Sequence, residues 1–359
     1  MRVLMATPAV DSQDSALGFI PSWISSLAGH LDTINVVTPR YNPSSRLPRN
    51  VHVYALSDWP GTLPKLVGYN RTMLRFLAKD TDLVFCHMAP RWVLPVAAYA
   101  WLFHTPSVWF RAHSSVTWQV RVVHRLVNRV ATSSEPGFRI RSQKIVIVGQ
   151  GTDVTRFHPP DTDPQGPPMV LNVGRVSPAK GQETLLRAAT YLAKELGRSD
   201  VQFHIVGEPL GATEQAYHRH LRELVAKNRL QGQMHFVGKV PFESIVPCYH
   251  RCRVFVNLSS TGSLDKTVLE AMACGRPVVT CNEAYYPLFD DEMKQKCYFE
   301  PGNYQGLASR IEWFLSHDEP ELRHRLRAIV VQKHSLDALT RNLIGLFQQV
   351  IEERQRRAS

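Results

Sequence analysis

The sequence predicts an α/β chain of two Rossmann-like, doubly wound parallel-sheet domains facing a central cleft. Three observations predict it. Short β-branched runs alternate with helical patterns through the first half. A stretch with five Pro and one Gly, FHPPDTDPQGPP at 157–168, has no apolar periodicity and reads as a linker. The alternation then restarts. At 359 residues the chain is also too long for one ordinary core.

The elements follow in order. The first half carries strand patterns at 3–6, 34–38, 51–54, 83–86, 107–110 and 144–148. Helical patterns at 20–29, 65–78 and 116–130 lie between them. Residues 92–103 form the longest apolar run and contain Pro95, so they read as a buried helix rather than a bilayer span. After the linker, strands are predicted at 169–173, 202–206, 235–237, 254–257 and 277–280. Helices are predicted at 182–196, 213–228, 265–273 and 305–315, with a last one at 336–354. The expected domains are 1–160, joined by the C-terminal helix at about 336–359, and 161–335.

Composition narrows the class. A hydrophobic share of 44% and a charged share of 20% are those of a globular protein. The N-terminus MRVLMATPAV lacks a signal peptide's apolar region and reads as a first strand. Six scattered Cys fit a reduced, cytoplasmic setting. Cys248, His250 and Cys252 have no second ligand pair at zinc-like spacing, and Asp161 and Asp163 sit in a proline-rich turn; no metal site is expected. The formal charge of +11 favours acidic partners: nucleotide phosphates, anionic lipid or nucleic acid. No nucleic-acid-binding module or aromatic platform accompanies it. A full GxGxxG is absent, since Val154 stands where the third Gly of Gly149-Gln-Gly151 belongs, which disfavours a nicotinamide dehydrogenase.

The most informative stretch is SSTGSLDKTVLEAMACG at 259–275. A small-polar loop opens a helix, a natural seat for an anion. Glu270 interrupts the apolar run V-L-E-A-M-A, and a carboxylate there requires a polar partner. Gly275 and Pro277 stop the helix. Phosphate at the helix start and hydroxyls at Glu270 are what a nucleotide-sugar offers. Upstream, VLNVGRVSPAKG ends a strand at Gly174, and Arg175 and Lys180 follow. Taken alone, both could be ordinary surface charges. Two more strands end at Gly207, in HIVGEP, and in FVGKVP, toward the same expected edge.

These segments, GRVSPAKG, IVGEP, FVGKVP and S-x5-K-x3-EAMACGRPVV, resemble the donor lobe of GT-B glycosyltransferases, in particular the retaining, nucleotide-sugar-dependent family 4. The similarity is strongest over 170–282. VGQGTDVTRFHP resembles the family's inter-lobe segment through Gly151, Asp153, Phe157 and Pro159, with Gln150 in place of Asn. The resemblance implies that Arg175 and Lys180 bind the donor diphosphate and stabilise the departing charge without a metal or other cofactor. It implies that Glu270 accepts from ribose hydroxyls, that Leu269 lines the nucleotide, and that Gly262, Ser263, Leu264 and Asp265 meet sugar and phosphates. One departure matters: the family's first Glu, eight positions before Glu270, is Gly262 here. Either the sugar pocket is rebuilt around Asp265 or Lys266, or catalysis is impaired. Asp265 also reads as a favourable first-turn charge.

The N-terminal lobe is expected to bind the acceptor. Gly18, in DSALGF, occupies the place of the family's glycine-rich loop. His87 and His113 end strands, with His113 nearest the expected reaction centre, and either reads equally as a structural histidine. Arg111 could meet an acceptor phosphate or be solvated. Arg121, Arg125 and Arg129 recur at i, i+4 and i+8 beside Val123, Leu126, Val127 and Val130, a basic amphipathic pattern. It suits a solvated helix on the sheet or one at an anionic membrane, and the tail RQRRAS could reinforce the latter.

The expected function is transfer of a hexosyl unit from a UDP- or GDP-sugar to an acceptor hydroxyl, with retention, in cell-envelope polysaccharide or glycolipid synthesis. The expected location is cytoplasmic, at the inner membrane face. Gly262 motivates the alternative of a non-catalytic nucleotide-sugar-binding homologue or partner subunit. An epimerase or phosphorylase of the same fold is a further alternative, and no convincing pyridoxal-bearing motif supports the latter.

Overall fold

The computed structural model describes residues 1–56, 62–79, 81–260 and 262–358, without the side chains of 62–66, 78, 79, 357 and 358. Thr261, in the loop opening the Glu270 helix, and Ser359, in the basic tail, lie outside them. The chain forms two compact units, Met1–Gly151 with Leu336–Ser359, and Thr152–Ser335.

The first unit holds a parallel sheet of seven strands: β1 (Arg2–Ala6), β2 (Thr33–Thr38), β3 (Val51–Ala55), β4 (Leu83–His87), β5 (Ser107–Phe110), β6 (Arg129–Thr132) and β7 (Ile145–Ile147), in the order β3-β2-β1-β4-β5-β6-β7. Both faces are covered. Val3 and Met5 point into a core shared with α1 (Ile20–Ala28) and α12 (Leu336–Ala358). Leu4 and Ala6 point into the opposite core, shared with α2 (Thr62–Lys79), α3 (Pro90–Leu102) and α4 (Trp118–Leu126). That period-2 split is why these strands read as continuous apolar runs.

Two expectations need correction here. The amphipathic pattern at 116–130 is not one helix. It stops at Leu126, Val127 is extended with φ −81° and ψ 154°, and residues from Arg129 join the sheet as β6. The ammonium of Lys144 fixes that stop, donating to the carbonyls of His124 (3.1 Å), Arg125 (3.1 Å) and Val127 (2.8 Å). Arg129 therefore leaves the basic helical face and pairs with Glu353 at 2.6 Å.

The second unit holds β8 (Met169–Val173), β9 (Gln202–Val206), β10 (Met234–Gly238), β11 (Val254–Asn257) and β12 (Val278–Thr280), all parallel, in the order β10-β9-β8-β11-β12. Its helices are α5 (Gln182–Lys194), α6 (Ala212–Lys227), α7 (Val246–Arg251), α8 (Lys266–Ala273), α9 (Asp291–Cys297), α10 (Tyr304–Ser316) and α11 (Pro320–Ile329). The helices α7, α9 and α11 were not expected, although α11 buries Leu322 and Leu326 at i, i+4.

The boundary falls at Gly151/Thr152, not at 160/161. Packing explains the shift. A Cβ at Gly151, whose φ is +72°, would lie 2.4 Å from Leu339 Cδ2, and the Gly151 carbonyl accepts from Trp23 Nε1 at 3.0 Å. Phe157 is 1% exposed and packs on Phe242 and Tyr249 in the second unit. The proline-rich stretch thus follows the boundary instead of forming it.

The chain leaves the second unit through a π-helical turn, Val330–His334. The His334 carbonyl accepts from Thr152 N at 2.7 Å. Its imidazole is 4% exposed, and neither ring nitrogen has a hydrogen-bond partner among the described residues. Burial, reinforced by the charge of Lys333, pushes its pKa down to about 4 from 6.5. The unfolded chain therefore binds the extra proton first as pH falls. Stability is full above pH 6.5 and is lost as pH falls toward 4, by about 1.4 kcal/mol per unit. The unfolding midpoint of the second unit should show this slope, and His334→Met should flatten it.

Candidate functional site

The C-terminal ends of the second sheet make one continuous edge. At three neighbouring strands the chain reaches Gly238, Gly207 and Gly174. Gly207 N donates to Gly238 O at 2.8 Å, and Gly174 N donates to Val206 O at 2.9 Å. Gly207 has φ +137°, and a Cβ there would sit 2.0 Å from the Gly174 carbonyl oxygen. No side chain fits, so the backbone itself forms the floor of this edge.

The strand order reverses between β8 and β11, the place where loops diverge and open sheets of this kind bind ligands. The loop after β8 carries Lys180, which closes a short 3-10 turn, Pro178–Lys180. The next residue, Gly181, has φ +63°, and a Cβ there would lie 2.9 Å from Leu258 O in the loop after β11. This close approach seats Lys180 beside that loop. Its Nζ lies 2.8 Å from Asp265 Oδ1 and 3.4 Å from Ser259 Oγ.

Asp265 holds the edge together. It occupies the N-cap position of α8, yet its side chain makes no cap bond. The carboxylate instead accepts from Lys180 on one oxygen and from Asn257 Nδ2, at 2.9 Å, on the other. Its carbonyl accepts from Tyr285 OH at 2.6 Å. Behind it, Thr280 Oγ1 donates to Asn257 Oδ1 (3.0 Å) and Asn282 Nδ2 donates to Ser263 O (2.8 Å). First-turn charge alone therefore does not account for Asp265. Gly262 is buried at φ +71°, a conformation that costs a residue with a side chain. Leu264 is 2% exposed and Ser263 is buried.

Further along α8, Leu269 is fully buried and Glu270 is 7% exposed. Tyr249 OH donates to Glu270 Oε2 at 2.6 Å. Burial raises the Glu270 pKa against the opposing pull of Tyr249, Lys266 and Arg156. Burial pushes Lys266, one helical turn earlier, down to about 7, with Glu270 opposing. The acid that sequence reasoning singled out thus has a protein partner, Tyr249, that it missed. Tyr249 lies on α7 and carried no signal of its own.

Arg175 is half exposed and pairs with Glu214 on α6 at 3.3 Å. Gln182 Nε2 donates to its carbonyl at 3.0 Å. Both expected diphosphate ligands therefore stand at the sheet's C-terminal edge, each beside a carboxylate and each with solvent access. Glu214, Asn257, Thr280, Asn282 and Tyr285 complete the edge and were not anticipated. Only Asn257 and Thr280, each at the end of a predicted strand, were placed near it.

In the first unit, the corresponding reversal lies between β1 and β4. Gly18, buried, closes the turn before α1, its N donating to Asp14 O at 2.9 Å. His87 does not stand on a surface. It is 1% exposed, stacks on Phe110, meets Phe19 and Trp23 edge-on, and shares a hydrogen bond with Thr7. Arg111 is also buried rather than solvated. Its Nη2 donates to Ser115 O (2.9 Å) and Oγ (3.0 Å), its guanidinium lies over Trp109, and burial lowers its pKa to about 10. It braces the loop that carries His113. His113 is exposed, and its Nδ1 accepts from Ser115 N at 3.1 Å, leaving the neutral ring's proton on Nε2. Arg121 and Arg125 remain exposed on α4.

Two substitutions test this geometry. Tyr249→Phe should lower stability by about 1.5–3 kcal/mol, the loss of a bond to a buried acid, read by denaturant unfolding. Gly262→Glu, which introduces the acid that the resemblance leads one to expect there, should cost about 1–2 kcal/mol because of the left-handed backbone, and should not raise any activity.

Residues 153–330 match the family model described as "Glycosyl transferases group 1". The chain is 28% identical over 216 residues to the putative colanic acid biosynthesis glycosyltransferase WcaL of Escherichia coli K12, covering 57% of this chain and 51% of that protein. It is 31% identical over 147 residues to a D-inositol 3-phosphate glycosyltransferase of Geodermatophilus obscurus, covering 38% of this chain and 32% of that one. The chain therefore spans about half or less of these relatives. Among solved structures, Anabaena HepE in complex with UDP and glucose superposes with a TM-score of 0.75 at 18% identity, covering 97% of this chain and 99% of that one. The sucrose-phosphate synthase of Thermosynechococcus elongatus gives 0.76 at 17% identity, covering 98% and 99%. The chain carries a group 1 glycosyltransferase domain at 153–330, set in a GT-B fold of two parallel-sheet α/β units.

Proposed function

We propose that this chain is a retaining glycosyltransferase that moves a hexosyl unit from a UDP- or GDP-sugar to an acceptor hydroxyl. The observation that carries the reading is the Lys180–Asp265 pair at the β8/β11 reversal, beside the bare backbone of Gly174 and Gly207. In this reading a diphosphate lies along that backbone, and Lys180 and Arg175 supply positive charge as negative charge grows on the leaving group. In this reading the loop 262–265, at the head of α8, faces the phosphates. In this reading Asp265 and Lys266 supply the polarity that the family takes from the Glu replaced by Gly262. Glu270, held by Tyr249, meets the ribose. The reaction is proposed to need no metal, because the cations do that work.

The acceptor is proposed to belong to the N-terminal unit, with His113 Nε2–H as a hydrogen-bond donor. A role in cell-envelope polysaccharide or glycolipid synthesis draws support from the relative named for colanic acid biosynthesis. Among the described residues no helix is long and apolar enough to cross a membrane. Peripheral attachment to the inner face is proposed through α4, where Trp118 is 65% exposed beside Arg121 and Arg125.

A non-catalytic nucleotide-sugar binder is the second reading, favoured by Gly262 alone. Nucleotide-sugars that raise the thermal midpoint identify the donor. Release of the nucleoside diphosphate, with transfer or hydrolysis, then separates the readings. Arg175→Ala and Lys180→Ala should each lower turnover about a hundredfold or more with the fold retained, read by circular dichroism. Wild-type turnover in both removes the proposed clamp, and tight binding without turnover in the parent protein selects the binder.

A further inference from the structure

The opposite edge of the second sheet carries an arrangement that the transfer reaction does not use. Arg253 and Arg276 stand just before β11 and β12, at the strands' N-terminal ends, whereas Lys180 and the strand-end glycines stand at the C-terminal ends. A four-residue strand separates the two edges by about 13 Å. Here a cavity of about 340 Å³ is lined by four arginines, Arg198, Arg253, Arg276 and Arg323. Its walls also carry Asp200, Asp318 and Glu319.

The charges do not cancel evenly. Asp200 pairs with Arg198 at 2.9 Å, and Arg198 also holds Glu312 at 2.8 Å. Asp318 pairs with Arg323 at 2.9 Å. Glu319 accepts from Lys296 at 2.7 Å and from Trp313 Nε1 at 3.0 Å. Every carboxylate of the lining is thus committed. Arg323 also takes Asp163 at 3.1 Å, which leaves Arg276 Nη1 a longer contact of 3.5 Å to the same oxygen. Asp163, in the proline-rich turn, is half exposed and so shares its carboxylate between water and these two arginines.

Two guanidinium groups have donors to spare, one buried and one open to solvent. Arg276 is 2% exposed, and its Nε and Nη2 have no hydrogen-bond partner among the described residues. Arg253 is exposed and makes no side-chain hydrogen bond or ion pair among the described residues. A guanidinium buried without acceptors carries its full desolvation cost, so such groups signal an absent anion. Burial is the main pull on the Arg276 pKa, and it acts downward. Fork-shaped donors that flank a cavity suit a tetrahedral oxyanion better than a halide.

We propose that this cavity is a binding site for a phosphate group, held by Arg276 and Arg253. The phosphate is either free or carried on a lipid headgroup. The site is independent of the donor edge, so its occupancy survives changes at Lys180.

Calorimetric titration with inorganic phosphate, at ionic strength matched with chloride, tests the free source. Flotation with vesicles of phosphatidylcholine containing phosphatidic acid tests the lipid source. Binding should be retained in Lys180→Ala and weakened at least tenfold in Arg253→Gln and Arg276→Gln. Because Arg276 is buried, Arg253→Gln is the variant that leaves the interior intact. Phosphate binding lost in Arg253→Gln assigns the free ion, and vesicle binding lost in that variant assigns the lipid. Binding unchanged in Arg253→Gln, or absent with both probes, overturns the proposal.

Discussion

The C-terminal edge of the second unit's sheet depends on one carboxylate. Asp265 joins the loop after β8, through Lys180, to the end of β11, through Asn257, and it fixes the head of α8 through Tyr285. These elements are far apart in sequence and meet only where the sheet order reverses. A polar bridge there has an electrostatic reason. Lys180 keeps partial solvent access, and so does Asp265, so neither charge carries the cost of full burial. The pair therefore positions a cation that keeps a solvent-facing side.

The backbone around that bridge is built by exclusion. Gly207 permits contact with the Gly174 carbonyl, and Gly181 permits contact with Leu258. Each glycine brings two loops closer than any side chain allows. The result is a surface of peptide groups next to cations, which is suited to a polyanion rather than an apolar ligand. Glu270 belongs to a different regime. It is buried, its acid form is favoured by burial, and its known partner is a buried tyrosine. Its contribution to any ligand site rests on a proton and hydrogen-bond balance with Tyr249 and Lys266.

The same sheet also separates charge by edge. The C-terminal edge presents glycines, Lys180 and Arg175. The other edge gathers four arginines around a cavity with its acids already engaged. A net charge of +11 is therefore not spread evenly. Part of it is engaged within the fold, as with Lys144 on three carbonyls and Arg129 on Glu353, while Arg111 holds Ser115 through Nη2 and leaves its buried Nε without a partner among the described residues.

The sequence by itself determined the two parallel sheets, because buried strands must read as apolar runs and their crossover helices as 3.6-period stripes. It also determined the strand-end glycines and the helix that carries Glu270, since these are local signals. Only tertiary structure decided which of the marked residues are surface groups. His87 and Arg111 looked like site residues at strand ends, yet aromatic packing and a loop carbonyl hold them inside. Arg129 looked helical until Lys144, fifteen positions later in the chain, capped the helix before it. Asp265 looked like a helix-start charge, and its partners came from 85 and 8 residues away. Periodicity reports which face of an element is apolar; it cannot report which distant polar group will satisfy a buried or half-buried charge, and that pairing is what defines a site.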